Sequence, residues 1–97
     1  LHVDDLSSAI EYILLNNIET DLLNIGSGEE ISILDLAETL KDVIEYEGSI
    51  ELDLDKPDGN PRKLLDSSKI NNLGWKSEIN LVDGLKKTYS WYLENIA

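Results

Sequence analysis

A short turn with charges of both signs lies just past the middle of this chain and limits how the backbone can run. Pro57 fixes its own φ and Gly59 tolerates conformations that other residues resist, so a rigid turn is predicted around Asp58. Arg62 and Lys63 follow closely. A rigid turn that presents a carboxylate, a guanidinium and an ammonium group suits recognition of a polar ligand. We predict a ligand site at Asp58, Arg62 and Lys63, with a structural pair between Asp58 and Arg62 as the alternative.

Four segments carry apolar residues at the spacing of a helix. Each begins at a residue of a type that caps or opens helices; in chain order these are Asp4 or Asp5, Ser32, Ser67 and Asn80. The second helix is expected to stop near Gly48. The brief third helix is expected to end at Leu73, with Gly74 as a left-handed residue after it. The last helix is expected to bury one face, which consists of Leu81, Leu85, Tyr89 and Tyr92.

Strand patterns alternate with these helices. The segment 49–55 places Ile50, Leu52 and Leu54 on one face and acidic residues on the other, which predicts a half-buried strand. Shorter strands are expected at 1–3, 22–25 and 64–65. The tryptophans and tyrosines at the end of the chain are expected in the core rather than on a base-stacking surface: Trp75, Tyr89, Trp91 and Tyr92. The pattern as a whole predicts one α/β unit over residues 1–97.

Composition excludes several classes of function. Eight basic and 20 acidic residues give a net charge of -12, which repels nucleic-acid phosphates and anionic lipids, so neither nucleic acid nor membrane is expected as a partner. The chain has no cysteine and one histidine, so thiolate chemistry and a multi-histidine metal site are excluded, and no metal is expected. Absence of cysteine fits a cytoplasmic protein. A calcium loop counted from Asp53 fails, because its sixth and twelfth positions are Asp58 and Leu64.

Two further motifs have a chemical and a plain interpretation. The Gly26-Ser27-Gly28 segment precedes a helix, as phosphate loops do, but acidic residues follow it and the remaining motif glycines are missing, which favours a simple connection. His2 stands beside Asp4 and Asp5 and offers acid–base chemistry. A structural histidine next to a helix cap is the favoured interpretation.

Several of these motifs also resemble one enzyme family. The segments 2–6, 24–28 and 31–37 resemble extended short-chain dehydrogenases/reductases, a signal that many nucleotide-sugar epimerases and dehydratases share. The stretch 56–66, followed by Leu73-Gly74-Trp75, then by Gly84-Leu85, Thr88-Tyr89 and residues 91–95, is more specific. In that combination the chain resembles the GDP-L-fucose synthase family over nearly its whole length.

The resemblance implies a parent enzyme that converts GDP-4-keto-6-deoxy-D-mannose to GDP-L-fucose with NADPH. It implies that residues 1–97 form part of the smaller, C-terminal substrate domain, where Asp58, Arg62 and Lys63 contact the GDP-sugar. The family's N-terminal Rossmann domain, catalytic serine and tyrosine–lysine pair are missing from this sequence, so the isolated chain is expected neither to bind NADP(H) nor to catalyse. Another nucleotide-sugar epimerase or dehydratase and a non-catalytic acidic interaction module are the alternatives. A homodimeric parent is left open.

Overall fold

The fold is built from helices joined by extended connections. The computed structural model describes residues 1–59 and 62–97. Its helices are α1 (Val3–Leu15), α2 (Ile33–Ile44), α3 (Ser68–Asn72) and α4 (Leu81–Asn95). Of these, none is both long enough and apolar enough to cross a membrane.

Two of the predicted helix caps are confirmed. Ser32 Oγ accepts a hydrogen bond from Asp35 N at 3.0 Å at the start of α2. Asn80 Oδ1 accepts one from Asp83 N at 2.8 Å at the start of α4. These bonds satisfy backbone donors that have no partner inside the first helical turn.

The predicted cap of α1 is wrong. Its cap is His2, whose Nδ1 accepts a hydrogen bond from Asp4 N at 3.0 Å. Asp4 and Asp5 both lie inside the first turn instead, where carboxylates interact favourably with the positive end of the helix dipole. Histidine caps a helix through its unprotonated ring nitrogen, a role that a search for Ser, Thr, Asp or Asn does not detect.

The ends of α2 and α3 were predicted with different success. α2 ends at Ile44, before the expected stop near Gly48, because Glu45 adopts a left-handed conformation with φ of 56°. The next amide, Tyr46 N, then bonds back to Lys41 O at 3.0 Å. α3 is confirmed within one residue at each end. Gly74 follows it with a positive φ of 109°, a conformation that only glycine adopts freely.

The prediction of a few short strands is wrong for the described residues. In 49–55, the Asp53 carboxylate accepts a hydrogen bond from Asp55 N at 3.1 Å, and the Asp53 carbonyl accepts one from Lys56 N at 3.3 Å. These bonds close a turn, because an aspartate side chain competes with strand pairing for backbone N–H groups. The segments 22–25 and 64–65 form connections without strand pairing, and residue 3 begins α1. Alternation assigns side chains to faces, but a strand also needs a hydrogen-bonded neighbour.

The core lies between α1, α3 and the loop after α3. Ala9, Ile70 and Trp75 form its buried centre, which confirms the predicted core position of Trp75. Trp75 Nε1 donates a hydrogen bond to Ser8 Oγ at 3.0 Å, and Tyr12 Oη donates one to the Leu73 carbonyl at 2.7 Å. Apolar packing and these side-chain hydrogen bonds hold the second half of the chain against α1.

Several side chains expected in the core are exposed. Leu52 and Leu54 are 66% and 88% exposed, and Trp91 and Tyr92 are 57% and 46% exposed. Their predicted burial is wrong. α2 packs against α4, yet the radius of gyration is 16.5 Å, against about 13 Å for a compact domain of this length. An elongated chain has too little of its own surface to cover every apolar face.

Candidate functional site

The loop that carries the predicted ligand residues is tied to the segment before α2 by a two-point ion pair. Arg62 Nε donates to Glu30 Oε1 at 2.7 Å, and Arg62 Nη2 donates to Glu30 Oε2 at 2.8 Å. These hydrogen bonds lower the pKa of Glu30 below its ordinary value and raise the pKa of Arg62. The geometry is the parallel fork that arginine and carboxylate groups form best. It fixes one edge of the guanidinium.

The other two predicted site residues lie on the surface of the same loop. Asp58 and Lys63 are both exposed. The ion-pair partner of Arg62 is Glu30 rather than Asp58, so the alternative of a structural Asp58–Arg62 pair does not hold. Residues 60 and 61, in the middle of the predicted turn, lie outside the described residues. The assignment of Asp58, Arg62 and Lys63 to ligand binding stays a prediction.

A groove of about 530 Å³ opens beside Arg62. Its walls combine apolar side chains with polar groups, and they are formed by Gly28, Arg62, Leu64, Leu65, Asp66, Ser67, Ser68 and Asn71. Ser67, one of these lining residues, is buried, and its hydroxyl has no hydrogen-bond partner among the described residues. A Cβ placed on Gly26 would lie 3.2 Å from this hydroxyl, so the backbone at Gly26 lies close to Ser67. The groove is open to solvent and offers both a guanidinium and an amide.

One wall of this groove is set by Asp66, whose Oδ1 accepts a hydrogen bond from Ser68 N at 3.0 Å as α3 begins. Hydrogen bonds from the Ser68 side chain and backbone lower the pKa of Asp66. A carboxyl group with a lowered pKa in the folded protein stabilises the fold above its unfolded pKa, and this contribution is lost as the pH falls through the folded pKa.

The variant Asp66→Asn should therefore be less stable than the parent at neutral pH, with a difference that disappears in acid. Thermal unfolding of both proteins from pH 7 down to about pH 2 checks this. Because the group is exposed, the effect should be small, and Glu51→Gln serves as a control that removes the charge of another exposed acidic side chain. A stability difference between parent and Asp66→Asn that stays constant across this pH range would contradict the prediction.

A second groove, of about 680 Å³, lies where the N-terminal ends of α1 and α4 approach the segment before α2. Three carboxylates contribute to its walls, from Glu29, Glu30 and Asp83, beside His2. An acidic wall repels a phosphate group. The Glu30–Arg62 pair stands between the grooves, since its carboxylate lines this one and its guanidinium lines the other.

The structure agrees with the structural interpretations of the glycine segment 26–28 and of His2. Ser27 Oγ accepts a hydrogen bond from Glu29 N at 3.2 Å, which closes a local turn in the glycine segment. The His2 side chain is 9% exposed, and its Nδ1 is used as the cap of α1. Both groups are engaged in local structure, and among the described residues no cluster of acidic and histidine side chains is arranged to hold a metal ion.

Sequence reasoning missed the buried carboxylate of Asp5, which is 4% exposed. Its Oδ1 accepts from Glu78 N at 3.1 Å, and its Oδ2 accepts from Ile79 N at 3.0 Å. The carboxylate thereby joins α1 to the loop that leads into α4. A signal was present, because Asp5 precedes the buried Ala9 by one helical turn and so faces the core.

The known proteins that match this chain align with nearly all of it but with only about a third of their own length. No protein-family model matches. GDP-L-fucose synthase 1 of Arabidopsis thaliana is 50% identical over 96 residues, which are 99% of this chain and 30% of that protein. GDP-L-fucose synthase of Escherichia coli K12 is 42% identical over 104 aligned residues, 98% of this chain and 32% of that protein. The chain thus spans about a third of the length of these relatives.

Solved structures of GDP-sugar reductases also match nearly the whole of this chain. A GDP-6-OMe-4-keto-L-xylo-heptose reductase from C. jejuni superimposes with a TM-score of 0.86 at 33% identity, over 97% of this chain and 30% of that one. The GDP-mannoheptose C4 reductase MlghC of Campylobacter jejuni, solved with NADP bound, gives 0.81 at 32% identity, over 96% and 30%. In sequence and in structure, nearly the whole of this chain is thus similar to about a third of GDP-L-fucose synthases and of GDP-sugar reductases.

Proposed function

We propose that this chain is the substrate-binding, C-terminal part of a GDP-L-fucose synthase-like enzyme. The whole protein would convert GDP-4-keto-6-deoxy-D-mannose to GDP-L-fucose by epimerisation and NADPH-dependent reduction. The observation that carries the proposal is 50% identity to a protein of that name across 99% of the chain. Residues 1–97 would contribute to binding the GDP-sugar, and the chemistry would take place elsewhere in the protein.

NADPH does not fit the residues of this chain. A dinucleotide site needs a glycine-rich turn whose amides face the pyrophosphate, and the sequence has no such motif. The charged side chains in the walls of the larger groove are the carboxylates of Glu29, Glu30 and Asp83, which disfavour a phosphate. Hydride transfer and proton donation are therefore assigned to a cofactor domain outside these residues, and the isolated chain is expected to be inactive.

The uncovered apolar surface supports a contact with such a domain. Leu14 and Leu15 at the end of α1 are 71% and 72% exposed, and Ile33 at the start of α2 is 79% exposed. Exposed apolar residues in this number are typical of a surface that packs against another protein surface. We propose that they contact the cofactor domain of the same enzyme.

Asp58 is the residue with the most direct expected role. A carboxylate only accepts hydrogen bonds, and a guanine edge or the hydroxyls of ribose and hexose supply donors. Pro57 and Gly59 restrict the loop before the ligand arrives, which lowers the ordering cost on binding. Because Arg62 forms its ion pair with Glu30, it does not pair with the Asp58 carboxylate. Arg62 and Lys63 would supply positive charge to the diphosphate.

Asp58→Asn in the full-length protein tests the proposal. It keeps the shape of the side chain and removes its charge, so GDP-sugar binding should weaken by about 1.5–3 kcal/mol, the range for a hydrogen bond to a charged group. Titration calorimetry measures the affinity, and thermal unfolding should give an unchanged midpoint. Asp55→Asn is the matched control, since it removes an exposed carboxylate on the other side of Pro57. Parent-like affinity in Asp58→Asn would remove Asp58 from the site.

A second candidate is reduction of a different GDP-sugar. The solved structures that match at 32% and 33% identity are reductases of GDP-heptose substrates. Turnover assays with GDP-4-keto-6-deoxy-D-mannose and with a GDP-4-keto-heptose distinguish the two. We propose a cytoplasmic enzyme with neither nucleic acid nor membrane as partner, which the net charge of -12 and the lack of cysteine support.

A further inference from the structure

We infer that Glu30 is a positioning residue that holds Arg62 so that its second guanidinium edge faces the diphosphate of a nucleotide ligand in the groove of residues 62–71. The inference rests on the proposed function and names a residue from a different segment of the chain. Glu30 lies 32 positions before Arg62, on the other side of α2 in the sequence.

The geometry of the pair leaves half of the guanidinium available. Arginine has five N–H donors arranged on two edges. Glu30 takes Nε and one hydrogen of Nη2, so the edge formed by Nη1 and Nη2 keeps its fork. That fork matches two oxygens of a phosphate. The Arg62 side chain is 68% exposed, so a ligand can approach it from the groove.

The groove beside Arg62 has the chemistry for such a ligand. Its volume of about 530 Å³ lies in the usual range of small-molecule sites. Asn71 adds an amide and Ser68 a hydroxyl to the guanidinium. The groove on the other side of the pair has three carboxylates in its walls. The groove beside Arg62 has a single carboxylate in its wall, that of Asp66, so an anionic ligand is directed to the side of the pair that Arg62 occupies.

Holding an arginine in place has a benefit and a cost for the ligand. An unrestrained arginine loses side-chain freedom when it binds, at a cost that preorganisation removes. The Glu30 charge also offsets part of the Arg62 charge, which weakens its attraction for phosphate. Glu30 favours binding only if the gain from orienting Arg62 outweighs this loss of attraction. Removing Glu30 is then expected to weaken GDP binding.

The test compares GDP with guanosine as probes in calorimetric titrations of the full-length protein, because only GDP carries the diphosphate. Arg62→Ala should weaken GDP binding about 10- to 100-fold. Glu30→Ala should weaken it about 3- to 10-fold and leave guanosine binding unchanged. Glu30→Ala should have no further effect in an Arg62→Ala background, and Glu30→Asp should retain part of the affinity. Glu29→Ala is the control, since it removes the same charge one residue away without breaking the pair.

Each contrary result has a distinct meaning. Tighter GDP binding by Glu30→Ala would show that Glu30 only neutralises Arg62, and would overturn the inference. Equal losses for GDP and guanosine, together with a lowered unfolding temperature, would show a purely structural pair and would also overturn it. Normal GDP binding by Glu30→Ala overturns this inference alone. Failure of the unaltered protein to bind either probe overturns the proposed function, and this inference with it.

Discussion

Replacing Ile70 with alanine should lower the free energy of unfolding by about 2–5 kcal/mol. Ile70 has no exposed surface and is the large side chain buried completely in the described core. It lies in the middle of α3, where it packs with Ala9 of α1 and with Trp75. Alanine removes the transfer free energy of the lost carbons and leaves a cavity that a helix of five residues can close only in part. Chemical denaturation of parent and variant measures the difference.

Leu54→Ala is the matched comparison, because the sequence pattern and the structure disagree about it. Alternation in 49–55 predicts a buried Leu54, whereas the side chain is 88% exposed. The structure requires a change near zero, within about 0.5 kcal/mol for an exposed site. A loss for Leu54→Ala as large as the loss for Ile70→Ala would mean that the 49–55 segment is buried after all.

Features set by neighbouring residues were predictable from sequence. The caps at Ser32 and Asn80 depend on contacts three residues apart, and the positive φ of Gly74 depends on the end of a single short helix. Their energetics are local, so a pattern of residue types contains most of the information. The family resemblance was likewise carried by contiguous motifs, and the relatives found by sequence confirm it.

Features that join distant segments were not predictable in the same way. A strand at 49–55 needs a partner that alternation does not supply, and the Asp53 turn forms instead. The Arg62–Glu30 pair connects residues 32 positions apart, and many carboxylates in so acidic a chain were equally plausible partners. The sequence therefore indicates Arg62 as a ligand residue without indicating the carboxylate that pairs with it. Long-range pairing depends on the fold as a whole, which local patterns determine only in part.

The carboxylate of Asp5 is the strongest case of a long-range contact. It accepts hydrogen bonds from Glu78 N and Ile79 N, 73 and 74 positions away, and these amides precede the cap of α4. A buried N–H group that is left without an acceptor lowers the stability of the fold by about 1–3 kcal/mol. The two hydrogen bonds also help to position the start of α4 relative to α1, because the two oxygens of the Asp5 carboxylate hold two successive amides of the loop before α4.

Asp5→Ala should accordingly lower the free energy of unfolding by about 2–4 kcal/mol, since two backbone donors lose their partner and water reaches them only in part. Asp4→Ala is the matched control. It removes a carboxylate from the same first turn of α1, where the helix-dipole interaction contributes about 0.3–1 kcal/mol, but the Asp4 side chain is 67% exposed. Urea denaturation of both variants separates the contribution of the 78–79 amides from that of the dipole. Equal losses in the two variants would mean that the Asp5 carboxylate acts only as a first-turn charge and does not anchor the loop before α4.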